Sequence, residues 1–247
     1  MQMSDFLPRF NPDARITLLP VDPVHLPGQR CMVVDDVLLN PEVLIELAVM
    51  WREHFSLPNA SAYPGLELWM PPAVSSLLDD WFRLHVRAVL GGRRSLRMDC
   101  RLSMVTLPAE ALQPKQWFCH RDDPGRVPRE MRAASVLYLF HDETFGGTSI
   151  YRPTRPMAEI EQLVHDAGHL SVPEFQARWD VAPGYMSESN AWFEKVLALP
   201  ARFNRMVFYD GGLFHCSDNG PAGTLPDDPR TGRLTLNGFF TCTRQAR

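Results

Sequence analysis

The spacing of apolar residues changes near Arg97, and that change divides the chain into a helical first part and a β second part. Leu44, Leu47, Ala48, Trp51 and Phe55 recur at helical spacing after Asn40-Pro41, where Asn suits the capping position and proline the first helical one. A second stripe through Leu77, Leu78, Trp81, Leu84 and Ala88 predicts a helix over about residues 73–90, closed by Gly91-Gly92. From Arg97 the period falls to two: Met98, Cys100, Leu102 and Met104 alternate with Arg97, Asp99, Arg101 and Ser103, as in a half-buried strand. Further strands are predicted at 133–140, 148–152, 206–209 and 233–242, with a short one at 31–34. Helical segments are predicted at about 156–167 and 188–199, while residues 1–30, proline-rich and aperiodic, read as an arm lying over the domain.

The order is thus a helical flank (about 40–92), a β core (about 97–241) and a helical insertion (about 156–200), without βαβ alternation or a glycine-rich phosphate loop. This predicts a mainly β, α+β fold of the jelly-roll type. With 247 residues, 45% of them hydrophobic, residues 31–247 suffice for one domain. A net charge of −4 gives no basic surface for nucleic acid. No run of about 18 apolar residues and no basic-then-apolar leader is seen, so a soluble, cytoplasmic protein away from membranes is expected. The five cysteines are odd in number and lack a CxxC pair, which suits reduced thiols.

Two fragments carry candidate chemistry: Cys119-His120-Arg121-Asp122 and Tyr209-Asp210-Gly211-Gly212-Leu213-Phe214-His215. Residues two apart on an extended chain share a face, so His120 and Asp122 can chelate one ion while Arg121 points away. His215 on a second strand would complete a two-imidazole, one-carboxylate set, which suits non-haem Fe(II) with open positions. The bland alternative is three satisfied polar residues at strand ends. Asp123 would face away from His120. Cys119 and Cys216 adjoin the histidines, but strand neighbours point to opposite sides, which disfavours a Cys2His2 zinc site. His165 and His169 sit one helical turn apart without the glutamate of an HExxH motif and read as surface residues. Arg121, Arg126, Arg129 and Arg132 form either a cationic rim for an acidic substrate or a solvated face. Trp117 and Phe118 read as core or pocket lining.

Beyond these residues, the chain resembles the Fe(II)/2-oxoglutarate-dependent dioxygenases, in particular their prolyl-hydroxylase-like branch. The resemblance rests on His120-Arg121-Asp122, on Ser135-Val136-Leu137-Tyr138-Leu139-Phe140 with Phe145-Gly146-Gly147-Thr148, on Asn204-Arg205-Met206-Val207-Phe208-Tyr209 leading to His215, and on Gly232-Arg233-Leu234-Thr235. Val33-Val34-Asp35-Asp36-Val37-Leu38 is similar to the family's entry segment. The resemblance implies a double-stranded β-helix and an Fe(II) centre at His120, Asp122 and His215. It also implies 2-oxoglutarate as co-substrate, held by Arg233, Thr235 and Tyr138, with dioxygen and a small-molecule or peptide substrate. A carboxylate at position 122 points to hydroxylation rather than halogenation. A guanidinium is chemically apt for a buried distal carboxylate, being planar, bidentate and permanently charged. The segment 219–229 lengthens the stretch between His215 and Arg233 beyond the family's usual spacing. A metal enzyme of the cupin type without 2-oxoglutarate, and a non-catalytic jelly-roll module, are the competing readings.

Overall fold

A computed structural model describes residues 7–58, 62–123, 127–219 and 225–244. Among these residues ten strands, all paired antiparallel, form two sheets. The larger runs β1 (Arg15–Asp22), β2 (Leu26–Asp35), β8 (Met206–Asp210), β5 (Glu130–Tyr138), β10 (Leu234–Arg244), β4 (Gly92–Val105) and β3 (Gly65–Trp69). The smaller runs β7 (Phe193–Leu199), β6 (Thr148–Pro153) and β9 (Phe214–Ser217), and an isolated bridge from His120 to His215 extends it beyond β9. From β4 onward, eight segments are shared equally between the sheets, with β4, β10, β5 and β8 adjacent in one and the His120 segment, β9, β6 and β7 in the other; only the β6–β7 step stays within a sheet. That order is a jelly roll, the double-stranded β-helix.

Alternation along the strands assigns each face a task. Leu102 and Met104 of β4, Leu236 and Phe240 of β10 and Phe208 of β8 point outward, under α1 (Glu42–Met50) and α2 (Pro72–His85). Phe82 of α2 stacks on Phe240 with ring centroids 3.9 Å apart, and Trp81 on Phe208 at 5.5 Å. The other face of the same strands looks toward the smaller sheet, where Ala134, Tyr138, Val207 and Tyr209 pack with Ile150 and Leu199. Directly paired residues form cross-strand rows on this inner face: Glu67, Ser103, Thr235 and Tyr138 make one, and Trp69, Arg101, Asn237 and Val136 the next.

Several elements differ from expectation. The stretch read as an arm contains β1 and the first half of β2, a hairpin that continues the larger sheet; its residues 1–6 lie outside the described ones. Asn40 does not cap α1: its side chain takes the Arg9 amide and donates to the Leu7 carbonyl, tying the N-terminal segment down. Helix α2 ends at His85, because the amides of Val86 and Arg87 both turn back to the Phe82 carbonyl. The segment predicted helical at 188–199 is instead β7. Asn190 accepts from the amides of Trp192 and Phe193 and starts the strand, and the open edge of β6 outweighs the helical propensity of Ala, Glu, Lys and Leu.

Within the insertion, α3 (Met157–Ala167) matches expectation, and α4 (Val172–Arg178) follows a capping box at Ser171 and Glu174. Their Ile160, Leu163 and Phe175 are buried on Trp117, Phe118 and Phe214, so the insertion buttresses the strands that carry the candidate ligands. Among the described residues no helix is long and apolar enough to cross a membrane.

Candidate metal centre

His120 and His215 face each other across a reciprocal antiparallel bridge, each amide donating to the other's carbonyl at 2.9 Å. Such a pair places both side chains on one face, and the imidazole centroids lie 4.5 Å apart. Asp122 joins them because the amides of Asp122 and Asp123 both donate to the Gly211 carbonyl, at 2.9 and 3.0 Å. Gly211 in turn donates to the Arg132 carbonyl at 2.7 Å, so β5, the His120 segment and the link from β8 to β9 meet at one residue. A Cβ there would lie 2.8 Å from the Arg132 oxygen and 3.1 Å from Asp122 Cβ, which only glycine avoids.

One ligand atom from each of the three residues lies within 4.8 Å of the others. Asp122 Oδ2 is 3.3 Å from His215 Nε2, and Oδ1 is 3.7 Å from His120 Nε2. Ions with bonds of about 2.1 Å need neighbouring ligand atoms about 3 Å apart, close to these separations. Asp122 Oδ2 is buried without a hydrogen-bond partner among the described residues, a loss that a cation would make good. His215 Nδ1 faces the Leu213 carbonyl at 2.9 Å, which fixes the tautomer with the Nε2 lone pair toward the centre.

The electrostatics agree with that donor set. Burial, aided by His215 and opposed by Asp122, pushes His120 down to about 4, so it presents a free lone pair at neutral pH. Burial would raise Asp122, but His215, His120 and Arg132 outweigh it and hold the carboxylate below its ordinary value. Burial would lower His215, but Asp122 and the Leu213 carbonyl reverse it and raise the imidazole. A cation and a proton therefore compete for His215 Nε2.

Arg233 is 1% exposed and, among the described residues, has no carboxylate partner. Its Nε donates to the Phe145 carbonyl at 2.9 Å, and one terminal nitrogen to the carbonyls of Gly146 and Gly147 at 3.1 and 2.8 Å. The glycine pair thus forms the cradle of the arginine. Gly146 has φ of 75°, and a Cβ on Gly147 would lie 1.9 Å from the Leu199 carbonyl oxygen. Arg233, Thr235 and the three candidate ligands line one cavity of about 70 Å³. The Thr235 hydroxyl donates to the Ser103 carbonyl at 3.3 Å. Tyr138 donates to Thr148 at 2.9 Å and reaches the cavity through that residue, with burial pushing its phenol up to about 12.

The remaining candidates fall elsewhere. Asp123 accepts from the Arg132 amide, away from the ligands. His165 and His169 stack on each other at 4.1 Å, and among the described residues only the His120, Asp122 and His215 group has metal-ligand geometry. Of the arginines, Arg121 lies over the Phe214 ring and lines a cavity beside the centre, Arg132 donates to the Asp122 carbonyl, Arg129 is exposed, and Arg126 is outside the described residues. Trp117 and Phe118 are core residues, and Phe118 also lines a second cavity. Glu67, Asn219, Asn237 and Thr148 were not anticipated as cavity residues. Only Arg101 and Ser103 carried a signal, as the polar face of β4, which here lies indoors.

In solved structures the chain is similar to a prolyl-4-hydroxylase from Pseudomonas putida, at 15% identity, covering 95% of each chain, with a TM-score of 0.42. It is also similar to a collagen prolyl hydroxylase of Paramecium Bursaria Chlorella virus-1 in complex with 2-oxoglutarate, at 11% identity, covering 87% of this chain and 96% of that one, TM-score 0.45. HygX of Streptomyces hygroscopicus, with nickel and 2-oxoglutarate bound, is similar at 11% identity over 87% and 83% of the two chains, TM-score 0.48. No curated protein matches the sequence. A family model does, over residues 15–240, and the chain belongs to that family, DUF6445, a family of unknown function.

Proposed function

We propose that the protein is an Fe(II)- and 2-oxoglutarate-dependent oxygenase that hydroxylates a C–H bond of an amino acid, a peptide side chain or a small metabolite. The observation that carries this reading is the buried Arg233, without an acidic partner among the described residues, in the same cavity as His120, Asp122 and His215. A guanidinium in that position is costly unless an anion joins it. When bound, iron and 2-oxoglutarate would supply dioxygen activation coupled to oxidative decarboxylation.

The chain's own residues do the rest. His120, Asp122 and His215 would hold the ion on one face and leave its other positions open. Arg233, fixed by the carbonyls of 145–147, would bind the distal carboxylate of the co-substrate, with Thr235 and Thr148 beside it. Tyr138 would position Thr148 through their hydrogen bond. Tyr209 and Phe239 wall the cavity and keep water from its inner end.

The test is anaerobic addition of Fe(II) and then 2-oxoglutarate, read by the visible metal-to-ligand charge-transfer band. The band is expected in the native chain and absent in His120→Ala. Iron binding without the band would favour a metal enzyme that does not use 2-oxoglutarate, and absence of both would leave a binding module.

A further inference from the structure

A second cavity, of about 300 Å³, opens beside the first and shares His120, Asp122, Asn237 and Phe239 with it. Its wall holds an ion pair. Arg101 Nη1 donates to Glu67 Oε2 at 3.0 Å, and Glu67 is only 4% exposed. The guanidinium lies between two rings, 5.1 Å from the centroid of Trp69 and 4.6 Å from that of Phe239, which fixes its plane. Arg101 Nε is buried with no acceptor among the described residues. A buried ion pair adds little to stability against an apolar pair, and an unfilled charged donor makes it worse. Stability alone gives no reason for this arrangement.

Two further polar groups are unfilled. Asn219 is 4% exposed, and neither its amide nitrogen nor its oxygen has a partner among the described residues; Asn237 Oδ1 also lacks one. The cavity therefore offers spare donors from Arg101 and Asn219, spare acceptors from Asn219 and Asn237, and charges of both signs. We propose that it binds a free α-amino acid: the carboxylate on Arg101, the ammonium toward Glu67, and the side chain along Phe118 and Met186. The pair offers each end of a zwitterion an opposite charge. The volume lies at the small end of ligand pockets, which suits a single molecule rather than a chain. As the identity of the substrate this rests on the oxygenase reading, but the binding itself does not.

Binding of individual L-amino acids to the full chain is measured by calorimetry without metal. For any that binds, its N-acetyl and carboxamide derivatives follow. At least one amino acid is expected to bind, with each blocked derivative at least about tenfold weaker and a similar loss in Arg101→Gln and Glu67→Gln, as removal of a charge-assisted hydrogen bond implies. Asn219→Ala, which leaves the ion pair intact, should lose several-fold and serves if the other variants do not fold. Blocked derivatives that bind as tightly as the free amino acid would overturn the proposal. So would failure of every amino acid to bind a protein that still forms the Fe(II)/2-oxoglutarate band, an outcome that spares the oxygenase reading. Amino-acid binding without the band would sustain the pocket and sink the oxygenase.

Discussion

Gly211→Ala tests whether the candidate centre is held by backbone geometry. The added methyl would sit 2.8 Å from the Arg132 carbonyl oxygen and 3.1 Å from Asp122 Cβ. Ordinary contact begins near 3.4 Å, so something must move by several tenths of an ångström. The oxygen cannot retreat freely, because it also accepts the Gly211 amide at 2.7 Å. Asp122 moves instead, or β5 shifts against the β8–β9 link. Metal bonds tolerate about 0.2 Å, and loss of a supporting contact lowers affinity about 10–100-fold. We expect Gly211→Ala to weaken metal binding by that factor and to cost about 1–3 kcal/mol of stability, as overpacking does. Competition with a chromophoric chelator for Co(II) gives the first number and urea denaturation the second. Gly168→Ala is the control, since its Cβ meets nothing closer than 3.5 Å. Unchanged affinity and stability in Gly211→Ala would refute the reasoning.

Arg233→Lys keeps the charge and loses the fork; it should raise the 2-oxoglutarate dissociation constant about 10–100-fold in the anaerobic titration while iron still binds, and an unchanged constant would remove Arg233 from the co-substrate site. Asp35 bonds Arg205 through both oxygens, at 2.6 and 3.2 Å, and this contact outweighs burial and holds its carboxyl below the ordinary value. A depressed carboxylate stabilises the fold above its unfolded value of about 3.9 and loses that contribution as pH falls through the lower folded value. The pair is partly solvated, so the contribution is about 1 kcal/mol or less. Urea midpoints of native and Asp35→Asn chains should differ at pH 7 and draw together as pH falls below the unfolded value; a constant difference would contradict the assignment.

Residues that act locally were legible in the sequence. The alternation over Met98 to Met104 placed β4, and the two-residue spacing of His120 and Asp122 placed both on one side. Order along the chain also carried tertiary information: Asp35 and Arg205, in distant segments of the resemblance, form an ion pair, and Gly146-Gly147 cradles Arg233. What failed depends on partners far away. Phe193 to Leu199 has the composition of a helix and becomes a strand because β6 offers an edge. Glu67 could not be placed, since β3 carries no strong period and its role appears only beside Arg101. The inner polar rows look like solvent faces in sequence because periodicity does not say what lies on either side.

Strand β10 separates what may vary from what must be kept. Leu236 and Phe240 anchor the helices, while Thr235, Asn237 and Phe239, at the odd positions, face the cavities. Odd and even positions of one strand thus face different surroundings. Exchange of Asn237 or Phe239 would retune the ligand accepted without disturbing the hydrophobic layer beneath, so new specificities are reachable by single substitutions on an unchanged frame.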